Sequence, residues 1–148
     1  MSSDNARPVI EMVLRERATK AMSEVKRCYP GATFEIQMTG RRGILTACED
    51  RSVISKEFIE TEESISSGRS LYEYYCVLRG RARLVLIVPK VKAAEVFGRM
   101  LDFNQVWLSY YQIYYYDEEG HIESMNRKAW CEMTGRHNDP PYQPPEIS

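Results

Sequence analysis

His121 and His137 are the only imidazoles in the chain, and both fall in its polar last quarter. A Ser–His or Cys–His pair that activates a nucleophile therefore has few ways to form. An imidazole beside a turn or in a loop is ordinarily solvated. Cys28, Cys48, Cys76 and Cys131 lie far apart, with no CxxC pair. A zinc site needs closely spaced ligands, so these residues read as buried free thiols and no metal is expected. No GxxxxGK[ST] loop, GxGxxG turn or GxSxG elbow occurs, which removes the common phosphate cradles and the serine-hydrolase nucleophile. No cofactor is implied. What remains is charge and aromatic surface. Arg41 and Arg42 tip one predicted turn, and Arg79, Arg81 and Arg83 tip another. Two such tips on one rim would make an edge that contacts phosphates. The run Tyr110, Tyr111, Tyr114, Tyr115 and Tyr116 combines apolar ring area with polar hydroxyls, which suits a protein interface and, less directly, base stacking.

The elements that must position these groups follow from periodicity. Asp4 or Asn5 caps a first helix over about 6–28, with Pro8 in its first turn and Ile10, Leu14, Ala18, Ala21, Val25 and Cys28 on one narrow face. After Pro30-Gly31 the period becomes two. Ala32, Phe34, Ile36 and Met38 point one way, and Thr33, Glu35 and Gln37 the other. Gly40 to Gly43 turns this strand into a partner over 44–48. Residues 52–60 fit a strand or a helix, and their β-branched content favours the strand. The polar run Thr61 to Arg69 reads as an exposed loop. A second hairpin is expected from Leu71–Leu78 and Arg83–Val88, whose second strand is apolar on both faces and so central. A second helix over about 90–108 spreads its apolar residues across half its circumference. It lies either in a groove between the sheet and another element or against a second subunit. Asn104 falls inside that apolar arc and needs partners, since an unpaired buried amide costs about 1–3 kcal/mol. A tyrosine strand, a turn at Asp117–Gly120, a return strand and a short helix capped by Asn126 complete the order. The last ten residues hold four prolines and are extended.

The stretch Glu73 … Val88-Pro89-Lys90 is placed by this order of helix, hairpin, apolar strand ending in lysine, helix and strand. In that pattern it resembles the restriction-endonuclease-like nucleases over about the middle third of the chain. The resemblance implies an early acid, here Glu73, and an acid-x-lysine triplet, here ending in Lys90, that together hold Mg²⁺ and neutralise a phosphate. Val88 stands where the second metal-binding carboxylate belongs. The implied relative is therefore degenerate and lacks a complete metal site, and Glu73 and Lys90 are weak catalytic candidates.

With 148 residues, 43% hydrophobic and 28% charged, the composition is that of one globular domain. The expected architecture is α+β, with a mainly antiparallel sheet of five to seven strands, two principal helices, a domain over 1–138 and an extended tail over 139–148. Twenty basic against twenty-one acidic residues leave a net charge of −1, so any basic edge must come from local clustering. No signal segment or apolar run of membrane length is read, which places the protein in the cytoplasm with no membrane partner. The expected function is a non-enzymatic protein-interaction or assembly module, homodimeric through the second helix and the tyrosine strand. Asn104, Trp107, Tyr110, Tyr114 and Tyr116 are the interface or pocket candidates. The alternative is a nucleic-acid-binding or degenerate nuclease-like protein that uses the five arginines.

Overall fold

A computed structural model describes residues 3–39, 41–66, 68–101 and 111–136, with side chains from residue 7 onward. Asn104, Trp107, Tyr110, His137 and the segment 139–148 lie outside the described residues. Helix α1 (Ser3–Cys28) buries Ile10, Val13, Leu14, Ala18, Ala21 and Val25, the spacing of one helical face. Cys28, expected on that face, is exposed, and Arg17 is buried within it. The helix packs directly over Gly43, where an added Cβ would meet Leu14 at 3.4 Å and Ile10 at 3.5 Å, in ordinary van der Waals contact.

Strands β1 (Thr33–Met38), β2 (Arg42–Glu49) and β3 (Ser52–Glu60) form an antiparallel meander. Residues 52–60 are thus a strand. Asp50 and Arg51 join β2 to β3 with φ of 49° and 67°, the paired left-handed conformation of a two-residue hairpin turn.

The next segment departs from the sequence reading. In place of an exposed loop and a strand there are two helices, α2 (Glu62–Ser66) and α3 (Arg69–Arg79). Ser64 and Ile65 of α2 are buried. On α3 the buried residues are Ser70, Tyr74 and Leu78, four apart and therefore on one helical face. The helix is required because β4 (Arg83–Pro89) runs parallel to β3, and a parallel pair cannot be joined by a hairpin turn. Residues 79–83 are consequently a helix-to-strand connection.

Helix α4 (Lys90–Met100) crosses to β5 (Tyr111–Tyr116), parallel to β4, and β6 (Ile122–Ser124) returns antiparallel beside it. Helix α5 (Arg127–Thr134) closes the described chain, with the Asn126 side chain accepting from Ala129 N at 2.9 Å. The sheet order is β1-β2-β3-β4-β5-β6. It is a mixed sheet, where a mainly antiparallel one was expected, because α2 and α3 make a helical crossover where a hairpin was expected, so that β3, β4 and β5 run parallel.

Helix α1 covers one face of the sheet, packing on Leu45, Ile59, Val85, Ile87 and Tyr116. The other face carries Tyr74 and Leu78 of α3, Ala93, Val96 and Met100 of α4, and Trp130 of α5, against Phe58, Leu84, Leu86 and Ile113. The central β4 is fully buried from Leu84 to Val88, as its two-sided apolar run requires. The broad apolar arc predicted for the second helix is occupied within the chain over its described part, because α4 packs on β4, β5 and α5. No disulfide joins the four cysteines. Cys28 and Cys76 are exposed and Cys48 and Cys131 half-buried, so they are not the buried thiols expected. No helix among the described residues is long and apolar enough to cross a membrane.

Candidate functional site

The parallel strands β3, β4 and β5 end together, at Glu60, Pro89 and Tyr116, and the segments that follow line a cleft of about 610 Å³. Crevices beyond the carboxyl ends of parallel strands are where α/β sheets bind ligands. Glu62, Glu63, Asp117, Glu118, Glu119 and Lys90 border this one. The Asp117 carboxylate organises the β5–β6 turn. Its Oδ1 accepts from the backbone nitrogens of His121 and Glu119, both at 2.9 Å, and Oδ2 lies 3.1 Å from His121 Nδ1. The backbone bond from His121 is the main reason its pKa is lowered; desolvation opposes it, and the His121 side chain and the Glu119 amide add to the lowering. Ligand atoms of Asp117, Glu119 and His121 fall within 4.8 Å of one another, and hydrogen bonds internal to the turn account for that proximity.

Beneath this end of the sheet sits a buried polar network built on Glu60. Arg42 donates from Nε and Nη2 to its two carboxylate oxygens at 2.8 and 2.7 Å, and from Nη1 to Glu73 at 2.5 Å. Ser64 Oγ donates at 3.0 Å, and the Tyr74 hydroxyl donates as well. The Tyr116 hydroxyl donates to the Glu60 carbonyl at 2.5 Å. Burial disfavours the Arg42 charge, but Glu60 and Glu73 overcome it and raise the pKa. With Arg42, Ser64 and Tyr74 all donating to it, the Glu60 carboxylate serves to fix β2, β3, α2 and α3 to one another. The guanidinium also lies 4.7 Å from the centre of the Phe58 ring.

The residues singled out from the sequence are dispersed. Glu73 is held by Arg42 and lines other depressions than Lys90 does, so the two nuclease-like candidates are not brought into one cleft. Val88 is fully buried in the core. The arginine tips lie at opposite ends of the sheet, since Arg42 pairs with Glu60 at the end of β3 while Arg83 pairs with Ser55 near its start. Arg41 is bridged to Glu63 at 3.3 Å and Arg83 to Glu24 at 3.2 Å, and Arg79 and Arg81 are exposed. Tyr116 is buried, and Tyr114 lies half-buried under the Arg17 guanidinium. The tyrosine strand lies between β4 and β6 in the sheet, with Tyr111, Tyr114 and Tyr115 half-buried and Tyr116 buried.

Sequence reasoning passed over the outer edge of β1. Among the described residues this strand pairs with β2 alone. Thr39 N donates to Arg42 O at 3.0 Å. Main-chain direction alternates along an antiparallel strand, so the odd-numbered residues of β1 turn toward β2. Phe34, Ile36 and Met38 turn their N–H and C=O groups outward. Their side chains share the sheet face that carries α1, where Phe34 and Met38 are half-buried beside its core and Ile36 is 49% exposed. On the other face Gln37 Nε2 donates to Glu35 Oε1 at 3.2 Å. Natural edges are protected by charged side chains, lysine above all, by proline, by bulges or by a covering element, and Glu35 is the one charged residue of this strand. Thr33–Met38 contains no lysine or proline, and the bulge of this region lies in the β2–β3 pairing at Ala47/Cys48. The signal was present in the alternation of Ala32, Phe34, Ile36 and Met38, but it identifies an edge only once strand order is known. No protein-family model, curated protein or solved structure matches this chain.

Proposed function

We propose that the protein is a non-enzymatic interaction and assembly module that accepts an additional strand on the outer edge of β1. The observation that carries this reading is the outward main chain of Phe34, Ile36 and Met38 on an edge that pairs with no further strand among the described residues, beside a partly exposed apolar ridge. In strand addition the main-chain bonds supply affinity, and the alternate side chains supply selectivity. The reading moves the interaction surface away from the tyrosine strand and α4, whose described apolar residues pack partly or wholly within the chain. The nucleic-acid alternative loses its main support, because the two arginine tips do not share a rim.

Amide hydrogen exchange tests strand addition directly, with a synthetic peptide of residues 32–39 as the added strand. At a protein concentration where the chain sediments as a monomer, excess peptide slows exchange at Phe34, Ile36 and Met38 and leaves Glu35 and Gln37, already bonded to β2, unchanged. Equal exchange with and without peptide at all five positions overturns the reading.

A further inference from the structure

Resting on strand addition at β1, we infer that the occupant of this edge is a second copy of the chain, paired antiparallel across a twofold axis at Ile36. The constraint comes first from the backbone. Two copies can exchange main-chain bonds only through residues whose groups point outward, which are Phe34, Ile36 and Met38. Side chains directly opposite in an antiparallel pair lie on the same face. The strand must therefore meet its copy with even positions against even and odd against odd.

That leaves three central registers, and the side chains choose among them. An axis at Glu35 sets two carboxylates directly opposite each other, which is destabilising. An axis at Gln37 sets Ile36 against Met38 and leaves Phe34 with no partner within Thr33–Met38. An axis at Ile36 places Ile36 against Ile36 of the second copy and Phe34 against Met38 at both ends, closing the apolar ridge over itself. On the opposite face the same register sets Glu35 against Gln37, a carboxylate acceptor against an amide donor. This is the combination the two residues already make within one strand. Each outward residue then gives and accepts one main-chain bond, and the two sheets become continuous through their β1 strands. The seam is isologous, so both copies use the same patch and the assembly closes at two. A six-residue seam is smaller than the roughly 800 Å² per partner of a standard interface. The dimer is accordingly weak and depends on concentration.

The test joins sedimentation with directed cross-linking of the full chain. Wild-type protein passes from monomer to dimer as concentration rises. Ile36→Lys, which puts two ammonium groups face to face on the axis, shifts the midpoint upward by about tenfold or more. Mixing Ile36→Lys with Ile36→Glu chains restores association, which a variant that had merely unfolded would not do. Register is read with Glu35→Cys and Gln37→Cys chains carrying tags of different size. Opposed non-hydrogen-bonded residues lie about 4.5 Å apart at Cα, within disulfide reach. Under mild oxidation a 35–37 linkage, confirmed by peptide mass spectrometry, forms in the mixture and neither variant links to itself through the new cysteine. Self-linking at 35 or at 37 overturns the Ile36 axis. A dimer with no linkage at any of these positions overturns the β1 seam, as does a chain that stays monomeric at every concentration. In the monomeric case, peptide protection at Phe34, Ile36 and Met38 still separates a failed second copy from a failed strand-addition reading.

Discussion

Arg17 of α1 and Glu57 of β3 form a two-point ion pair, Nε to Oε1 at 2.9 Å and Nη2 to Oε2 at 3.2 Å, with both side chains almost wholly withdrawn from solvent. Burial works against the Arg17 charge, and its bond to Glu57 more than offsets that, so the pKa is raised. Removing one member of such a pair strands a buried charge and costs about 3–5 kcal/mol, whereas replacing both with apolar residues is often neutral. Arg17→Met alone is expected to lose stability on that scale. The double variant Arg17→Met/Glu57→Leu is expected to recover most of it. Urea midpoints at unchanged m-value decide the matter, and a single variant within about 1 kcal/mol of wild type would show that the pair is not sealed.

Alkaline pH acts at the two buried tyrosine hydroxyls that bond Glu60. Burial, and then the neighbouring Glu60 carboxylate, raise the pKa of Tyr74 well above its ordinary 10.0 and raise that of Tyr116 as well. In the unfolded chain both phenols ionise near pH 10, while in the folded chain they stay neutral. Their contribution is therefore intact below about pH 10 and declines as pH climbs toward the folded values. Unfolding free energy is expected to fall between about pH 10 and pH 12, with two tyrosines absent from the tyrosinate absorbance until unfolding begins. The Tyr74→Phe/Tyr116→Phe variant should show a shallower fall, and a level wild-type profile over this range contradicts the assignment.

Gly120 separates backbone strain from crowding. Its φ is +87°, and a Cβ there would meet Met12 Sδ at 3.0 Å and Cε at 3.1 Å. Gly120→Ala is expected to cost about 1–3 kcal/mol, mostly from forcing a side chain into the left-handed region. Adding Met12→Ala frees the space and leaves the dihedral, so thermal unfolding should show only partial recovery beyond the Met12→Ala background. Full recovery would assign the whole effect to the methionine.

The Asn126 side chain supplies the first hydrogen bond of α5, the helix that brings Trp130 into the core. Asn126→Ala is expected to lose about 1 kcal/mol, and Asn126→Ser to keep most of it, because serine caps comparably. Equal losses in the two variants, measured by chemical unfolding, would mean that the cap oxygen is not what holds the helix.

How much of this was legible in advance depended on whether a residue's neighbours lie near it in sequence. The Asn126 cap, the alternation of Phe34 and Met38 and the two-sided burial of Leu84 to Val88 are written in short windows and match the structure. Leu71 to Leu78 misled because its apolar residues also suit an extended reading, and only the parallel partnership of β3 and β4 demands a helix there. Arg17 and Arg42 were legible as charge but not as buried charge, since Glu57 and Glu60 reach them from a strand far along the chain. The tyrosines suggested one core face and one half-exposed face, and Tyr111, Tyr114 and Tyr115 are half-buried. In the fold Tyr116 spends its hydroxyl on a carbonyl of β3. The β1 edge needed strand order, which no local pattern carries.

The change of pairing mode at β3 also orders the search for the native state. Turns of a few residues close the meander from β1 to β3, and such nearby contacts form early. The β3–β4 seam must wait for residues 61–82 to fold back as α2 and α3, and entropy makes that closure later. Until it happens, the bonding groups that β3 will offer to β4 are a second open edge, with Phe58 and Ile59 beside them. A neighbouring chain at the same stage carries the very segment, Leu84 to Ile87, that completes it. Whether each molecule folds on itself or exchanges β4 with another is thus settled by a race between closure of that connection and collision, and dilution favours the former.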